Sequence, residues 1–184
     1  MIFESAPWKE ELLKIADRLE RRYNQKRWSE RSLFLLEREV FVGFFSVRKL
    51  MESNKISDKI KEKEVELAVY PAGEKPVTLL NQHKFPELYD LYAGKTDRLT
   101  YHDICNQFIH SSIFAPFTPF GKSLVGAYIA SDRAKKKQLY YITLVKIVEI
   151  FKNVGSDEAS ELVMTFDDKK QEYVVRVGAI PLEQ

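Results

Sequence analysis

Cysteine is nearly absent from this chain: Cys105 is the only one. One thiol cannot close an internal disulfide or build a multi-cysteine zinc site, so a reducing compartment is expected and Cys105 reads as a small buried apolar residue. Long apolar runs are missing as well. The longest candidate, residues 40–50, contains Arg48 and Lys49, whereas a membrane helix needs ~18 to 20 uninterrupted apolar residues. Residues 1–13 carry Glu4, Lys9, Glu10 and Glu11 in place of the basic start and apolar block of a secretory leader. A cytoplasmic protein with no membrane partner is expected. The formal net charge of +2 is too small to announce a polyanion partner, so any basic patch must be argued locally. There is no glycine-rich phosphate loop, no paired-cysteine motif and no G-x-S-x-G elbow, which removes support for P-loop hydrolases and common acyl-transfer enzymes. No cofactor or metal is expected.

What is present is enough apolar material for one core. Hydrophobic residues make up 45% of the 184 residues, in the range where a single domain folds. Trp8, Leu12, Ile15, Ala16, Leu19 and Tyr23 recur at spacings of three and four, which predicts a helix over 6–23 with Ser5 as its cap. The same period at Leu33, Leu36, Val40, Phe44, Val47 and Met51 predicts a long helix over 32–54, with Phe34, Phe41 and Phe45 widening its stripe. Gly43 inside it marks a close crossing by a neighbour. Alternation at Val65, Leu67 and Val69 predicts a strand, followed by a loop or edge strand over 76–86 and a short helix over 85–92. Thr100 with Asp103 has capping-box-like spacing and opens a helix running to about residue 114.

Beyond that helix the chain turns strand-rich. Residues 124–130 and 139–142 read as strands joined by a charged connection, 143–154 as a helix ending at Gly155, and 162–166 with 173–177 as a hairpin. The expected class is α+β: an N-terminal helical bundle followed by a small antiparallel sheet with one further helix, packed as a single domain over 1–184. A subdivision into a helical part, 1–120, and a β-rich part, 121–184, is the alternative.

The most unusual local feature is a polar row, His102, Asn106 and His110, beside the apolar residues Ile104, Cys105, Phe108, Ile109 and Ile113. Residues 102 and 110 of one helix stand ~12 Å apart at 1.5 Å per residue, so the two imidazoles cannot share one metal. Asn106 and His110 occupy adjacent turns, and an amide there can fix the imidazole tautomer. Two roles stay open for the pair: a structural hydrogen bond that locks helices together, or contact with a ligand.

The segment Asp103-Ile104-Cys105-Asn106-Gln107-Phe108-Ile109-His110-Ser111 resembles the signature helix of HEPN domains, the higher-eukaryote and prokaryote nucleotide-binding helical bundles. The resemblance implies that Asn106 and His110 stand at the polar and histidine positions of a metal-independent ribonuclease motif, of toxin or phage-defence type, which works as a pair across a dimer. RNA and a second copy of the chain are the implied partners. The motif's arginine position holds Cys105, which cannot bind phosphate as a guanidinium does. Arg48 and Arg98 are the candidate phosphate-binding replacements.

Two basic clusters offer a different nucleic-acid interface: Arg21, Arg22, Lys26 and Arg27 with Tyr23 and Trp28 interleaved, and Arg133, Lys135, Lys136 and Lys137 in a connection. Against this, cations at a helix end and in an exposed loop also serve the helix dipole and solubility. Three functions therefore stand side by side: a HEPN-like protein acting on RNA or descended from one, a non-catalytic module that binds a partner or itself, and nucleic-acid binding through the clusters.

Overall fold

The computed structural model describes residues 2–119, 123–159, 161–169 and 171–178. Helix α1 (Ala6–Arg21) buries Leu12, Ile15, Ala16 and Leu19 of the row its spacing selects, whereas Trp8 of that row is exposed and Tyr23 lies in the 3-10 turn beyond the helix. Ser5 makes no side-chain cap, and the proline near the first turn supplies the helix start. Helix α2 (Glu30–Glu52) opens with a reciprocal cap: the Ser29 hydroxyl accepts the Ser32 N–H at 3.2 Å and the Ser32 hydroxyl accepts the Ser29 N–H at 2.8 Å. After the short α3 (Asp58–Lys61), β1 (Glu64–Pro71) and β2 (Lys95–Thr100) form an antiparallel pair. Helix α4 (Tyr101–Ile109) and strands β3 (Ser111–Phe117), β4 (Gly126–Ser131) and β5 (Gln138–Thr143) follow, then helix α5 (Leu144–Gly155) and the hairpin β6 (Glu161–Asp167) and β7 (Glu172–Gly178).

Five strands make one antiparallel sheet in the order β2-β1-β5-β4-β3, and β6 with β7 makes a separate two-stranded one. The class is α+β, as expected. The sheet does not follow a helical bundle, however. Strands β1, β2 and β3 precede residue 120 and interleave with β4 and β5 from beyond it, so no division falls there. The helical layer covers one sheet face, where Phe44, Phe108, Phe151, Tyr140 and Ile142 share the main core. Gly43 lets α5 approach: an added Cβ would stand 2.3 Å from Phe151 Cζ. The opposite face is covered by residues of the 72–91 segment, with Val77, Leu88 and Tyr89 packed on Ile113, Ala130 and Leu139.

Three local expectations fail for identifiable reasons. No α-helix forms over 85–92; a kinked 3-10 segment spans Gln82–Glu87 with Pro86 inside it, where proline lacks a donor and disfavours helical geometry at Phe85. The polar stretch of β2 hides its strand, because an edge strand tolerates charge on its open side. Helix α4 stops at Ile109 and not near residue 114, since residues 111–117 pair with β4 and the carbonyl of His110 accepts the Asp132 N–H at 2.8 Å. Sheet pairing outweighs the continuing apolar period. Among the described residues no helix is long and apolar enough to cross a membrane.

Candidate functional site

Helix α4 is fixed at its start by Thr100, whose hydroxyl accepts the Asp103 N–H at 3.1 Å and donates to the Asp103 carboxylate at 2.7 Å. Ile104, Cys105 and Phe108 then point into the core, with Phe108 stacked on Phe44 at 4.0 Å between ring centroids. That leaves His102, Asn106 and Gln107 along the outer edge. Gln107 joins the helix to the sheet by accepting the Ser131 N–H at 3.1 Å.

Asn106 does not pair with His110. Its Oδ1 accepts from the Arg48 guanidinium at 2.8 Å, and its Nδ2 lies 3.3 Å from His102 Nδ1. Because guanidinium only donates, the amide orientation is set, and Nδ2 faces His102 Nδ1. Arg48 also donates from Nε to Glu52 at 2.6 Å. Hydrogen bonds from Lys49 and then Arg48 hold the Glu52 carboxyl down to about 2. The result is a chain, Glu52–Arg48–Asn106–His102, that ties α2 to α4. Arg48 therefore stands beside the residue that follows Cys105, while the Cys105 thiol is fully buried and pushed up to about 12 by that burial. It behaves as the apolar residue its isolation suggests.

His110 sits past the end of α4 as its C-cap and is exposed. Its exposure has a place: an open cleft of about 690 Å³ lined by Asp103, Asn106, Gln107 and His110 together with Asp132 and Arg133. Asp132 and Arg133 come from the connection between β4 and β5, more than twenty positions along the chain, and the Asp132 N–H is the one bonded to the His110 carbonyl. Asp132 is ion-paired to Lys135 at 2.7 Å, and that contact holds its carboxyl below the usual carboxylate range. Lys135 is itself buried, donating to the Ser112 hydroxyl at 3.3 Å, so it is a structural cation and not a surface contact. Arg133, Lys136 and Lys137 are exposed.

The other sequence candidates separate. Arg98 lies on β2 opposite Glu66 and does not line the cleft. Arg22 is half-buried and donates to the buried carboxylate of Glu39 at 3.0 Å, which Arg18 also contacts at 3.1 Å. Arg22 thus serves α1–α2 packing, whereas Arg21, Lys26 and Arg27 stay on the surface. Among the described residues no three His, Cys, Asp or Glu side chains converge as a metal site would require. The residues that sequence reasoning missed are Gln107 and Asp132. Gln107 adjoins the polar row, but nothing local marks Asp132, whose place depends on how β4 pairs with β3. Neither family models, nor curated proteins, nor solved structures yield a match to this chain.

Proposed function

We propose that this protein acts on RNA at the cleft between the end of α4 and the β4–β5 connection, as a HEPN-like ribonuclease or a descendant of one. His110 is the proton-transfer group and Arg133 the phosphate contact. The observation that carries the reading is that the exposed His110 shares an open cleft with Asn106 and the exposed Arg133. An imidazole titrates nearest neutral pH among unperturbed side chains, and a guanidinium holds a phosphate oxygen pair, which together suit transfer at a phosphodiester. Asn106 lines the cleft while its amide is held by Arg48 and His102 behind it. The Asp103 carboxylate within the cleft limits how closely a polyanion approaches that side.

Incubation of purified protein with single-stranded RNA in the presence of a chelator tests this. Cleavage is expected, falling roughly 100-fold or more in His110→Ala. Because His110 is exposed, the melting temperature of that variant should stay within about 1 °C of the parent. Unchanged cleavage in the variant removes His110 from the mechanism.

A second reading is a non-catalytic interaction module. It is favoured by the engagement of Arg48 and Asn106 with each other, since both are then occupied in holding α2 to α4. It predicts no cleavage, and it places the effect of the Asn106→Ala substitution on stability. Binding through Arg21, Lys26, Arg27, Arg133, Lys136 and Lys137 without chemistry is distinguished by affinity that falls steeply with salt while RNA stays intact.

A further inference from the structure

The β6–β7 hairpin is chemically incomplete as it stands. Its register places Leu162, Met164, Phe166, Tyr173, Val175 and Val177 on one face, and of these only Val177 is buried. Tyr173 is 67% exposed and Met164 60%, values that mark an uncovered apolar face and not a scatter of surface residues. Isolated two-stranded hairpins are marginal in water. Among the described residues β7 pairs with β6 alone, and Asp58 of α3 meets its outer edge only at Val177.

The Val177 N–H donates to Asp58 Oδ2 at 2.9 Å, so residue 177 turns its backbone groups away from β6. In an antiparallel ladder the outward direction recurs at every second residue, which gives Tyr173 and Val175 outward N–H and C=O groups. A second β7 related by a two-fold axis through Val174 would meet these groups in register, Tyr173 exchanging hydrogen bonds with Val175 of the other copy. The same register sets Glu172 opposite Arg176 of the other copy, twice. The overlap spans 172–176 and stops one residue short of the position occupied by Asp58.

We propose that β7 is a self-association edge: two copies of this chain join β7 to β7 antiparallel about Val174, making a four-stranded sheet with one continuous apolar face. The occupant is a second copy because the charge pattern of the strand is its own complement under a two-fold operation, Glu172 meeting Arg176 and the apolar residues meeting each other. Strand β6 lacks this property. Its acidic ends, Glu161 and Asp167, would oppose each other in the same operation. The inference is independent of the RNA-directed reading, since none of these residues lines the cleft beside His110.

Sedimentation equilibrium of the full chain tests it through complementary variants. The wild type is expected to dimerise, and Glu172→Arg and Arg176→Glu, each alone, to weaken self-association roughly tenfold or more, because each sets like charges opposite one another twice. An equimolar mixture of the two variants should recover a heterodimer at least as tight as the wild-type dimer, since one edge is then wholly cationic and the other wholly acidic. Val175→Pro removes an outward donor without touching the β6 ladder and should also give a monomer. A wild type that stays monomeric at the highest soluble concentration, or a mixture that associates no better than its components, overturns the proposal.

Discussion

Replacing Gly43 by alanine sets two opposing effects against each other, and the geometry decides between them. Alanine in a helix interior is favoured over glycine by about 1 kcal/mol. Against that, the new methyl would lie 2.3 Å from Phe151 Cζ and 2.4 Å from Cε2, where ordinary contact begins near ~3.5 Å. The ring must therefore move by about 1 Å. It has little room, being fully buried and set edge-on to Phe44 at 4.9 Å between centroids. Overpacking of this kind costs about 1–3 kcal/mol. The net expectation is destabilisation of about 1 kcal/mol, a fall in melting temperature of roughly 2–4 °C for a chain of this size. Urea titration followed by circular dichroism reads the change directly. Phe151→Ala alone should cost about 3–5 kcal/mol. Combined with Gly43→Ala it should cost less than the sum by about 1–3 kcal/mol, because the methyl then enters the space the ring vacated. A neutral or stabilising Gly43→Ala, or strict additivity in the pair, would refute the close α2–α5 crossing.

Asn106→Ala should lower stability by about 1–2 kcal/mol in urea titration, since it leaves Arg48 with Glu52 alone and frees His102, whereas His110→Ala should leave the midpoint unchanged. Glu52, with its carboxyl held down to about 2, contributes stability that is present above its unfolded value near ~4.3 and lost as pH falls through to about 2. Because its side chain is 41% exposed, solvent screening limits that contribution to under about 1 kcal/mol. The difference in melting temperature between wild type and Glu52→Gln should accordingly close as pH drops from about 5 to 2; a gap that widens instead would reverse the sign. Cys105, buried with its thiol pushed up to about 12, should resist iodoacetamide at mildly alkaline pH in the native state and react once the chain is unfolded.

Elements whose period is set by their own buried face were legible in sequence. Helices α1, α2 and α5 bury the centres of the rows that spacing selects, although Trp8, Leu33, Phe34 and Phe45 of those rows are exposed, and β1, β4–β5 and β6–β7 fall where alternation and turn residues place them. What escaped was decided by partners elsewhere in the chain. Residues 111–117 carry enough apolar spacing to extend α4, and only pairing with β4 makes them a strand. The loss of that helical turn changed the site as well. Asn106 and His110 are visible as unusual polar residues, but their mutual contact assumes a helix that continues past residue 110, whereas α4 ends at Ile109 and Asn106 turns to Arg48 and His102. Arg48 is one of the two arginines expected to replace the missing motif arginine, and it stands beside Asn106. The place of Asp132 and Arg133 beside His110 follows from sheet order, which no local spacing encodes.

The cleft reading comes down to whether RNA meets His110. The chain has three histidines, His83, His102 and His110, so imidazole resonances in a nitrogen-15-labelled sample can each be assigned by single substitution. Titration with a short single-stranded RNA is predicted to move the His110 ring signals while those of His83 stay in place, and Arg133→Ala should weaken that response. An unmoved His110 signal at saturating RNA, or equal shifts at all three rings, would contradict the account.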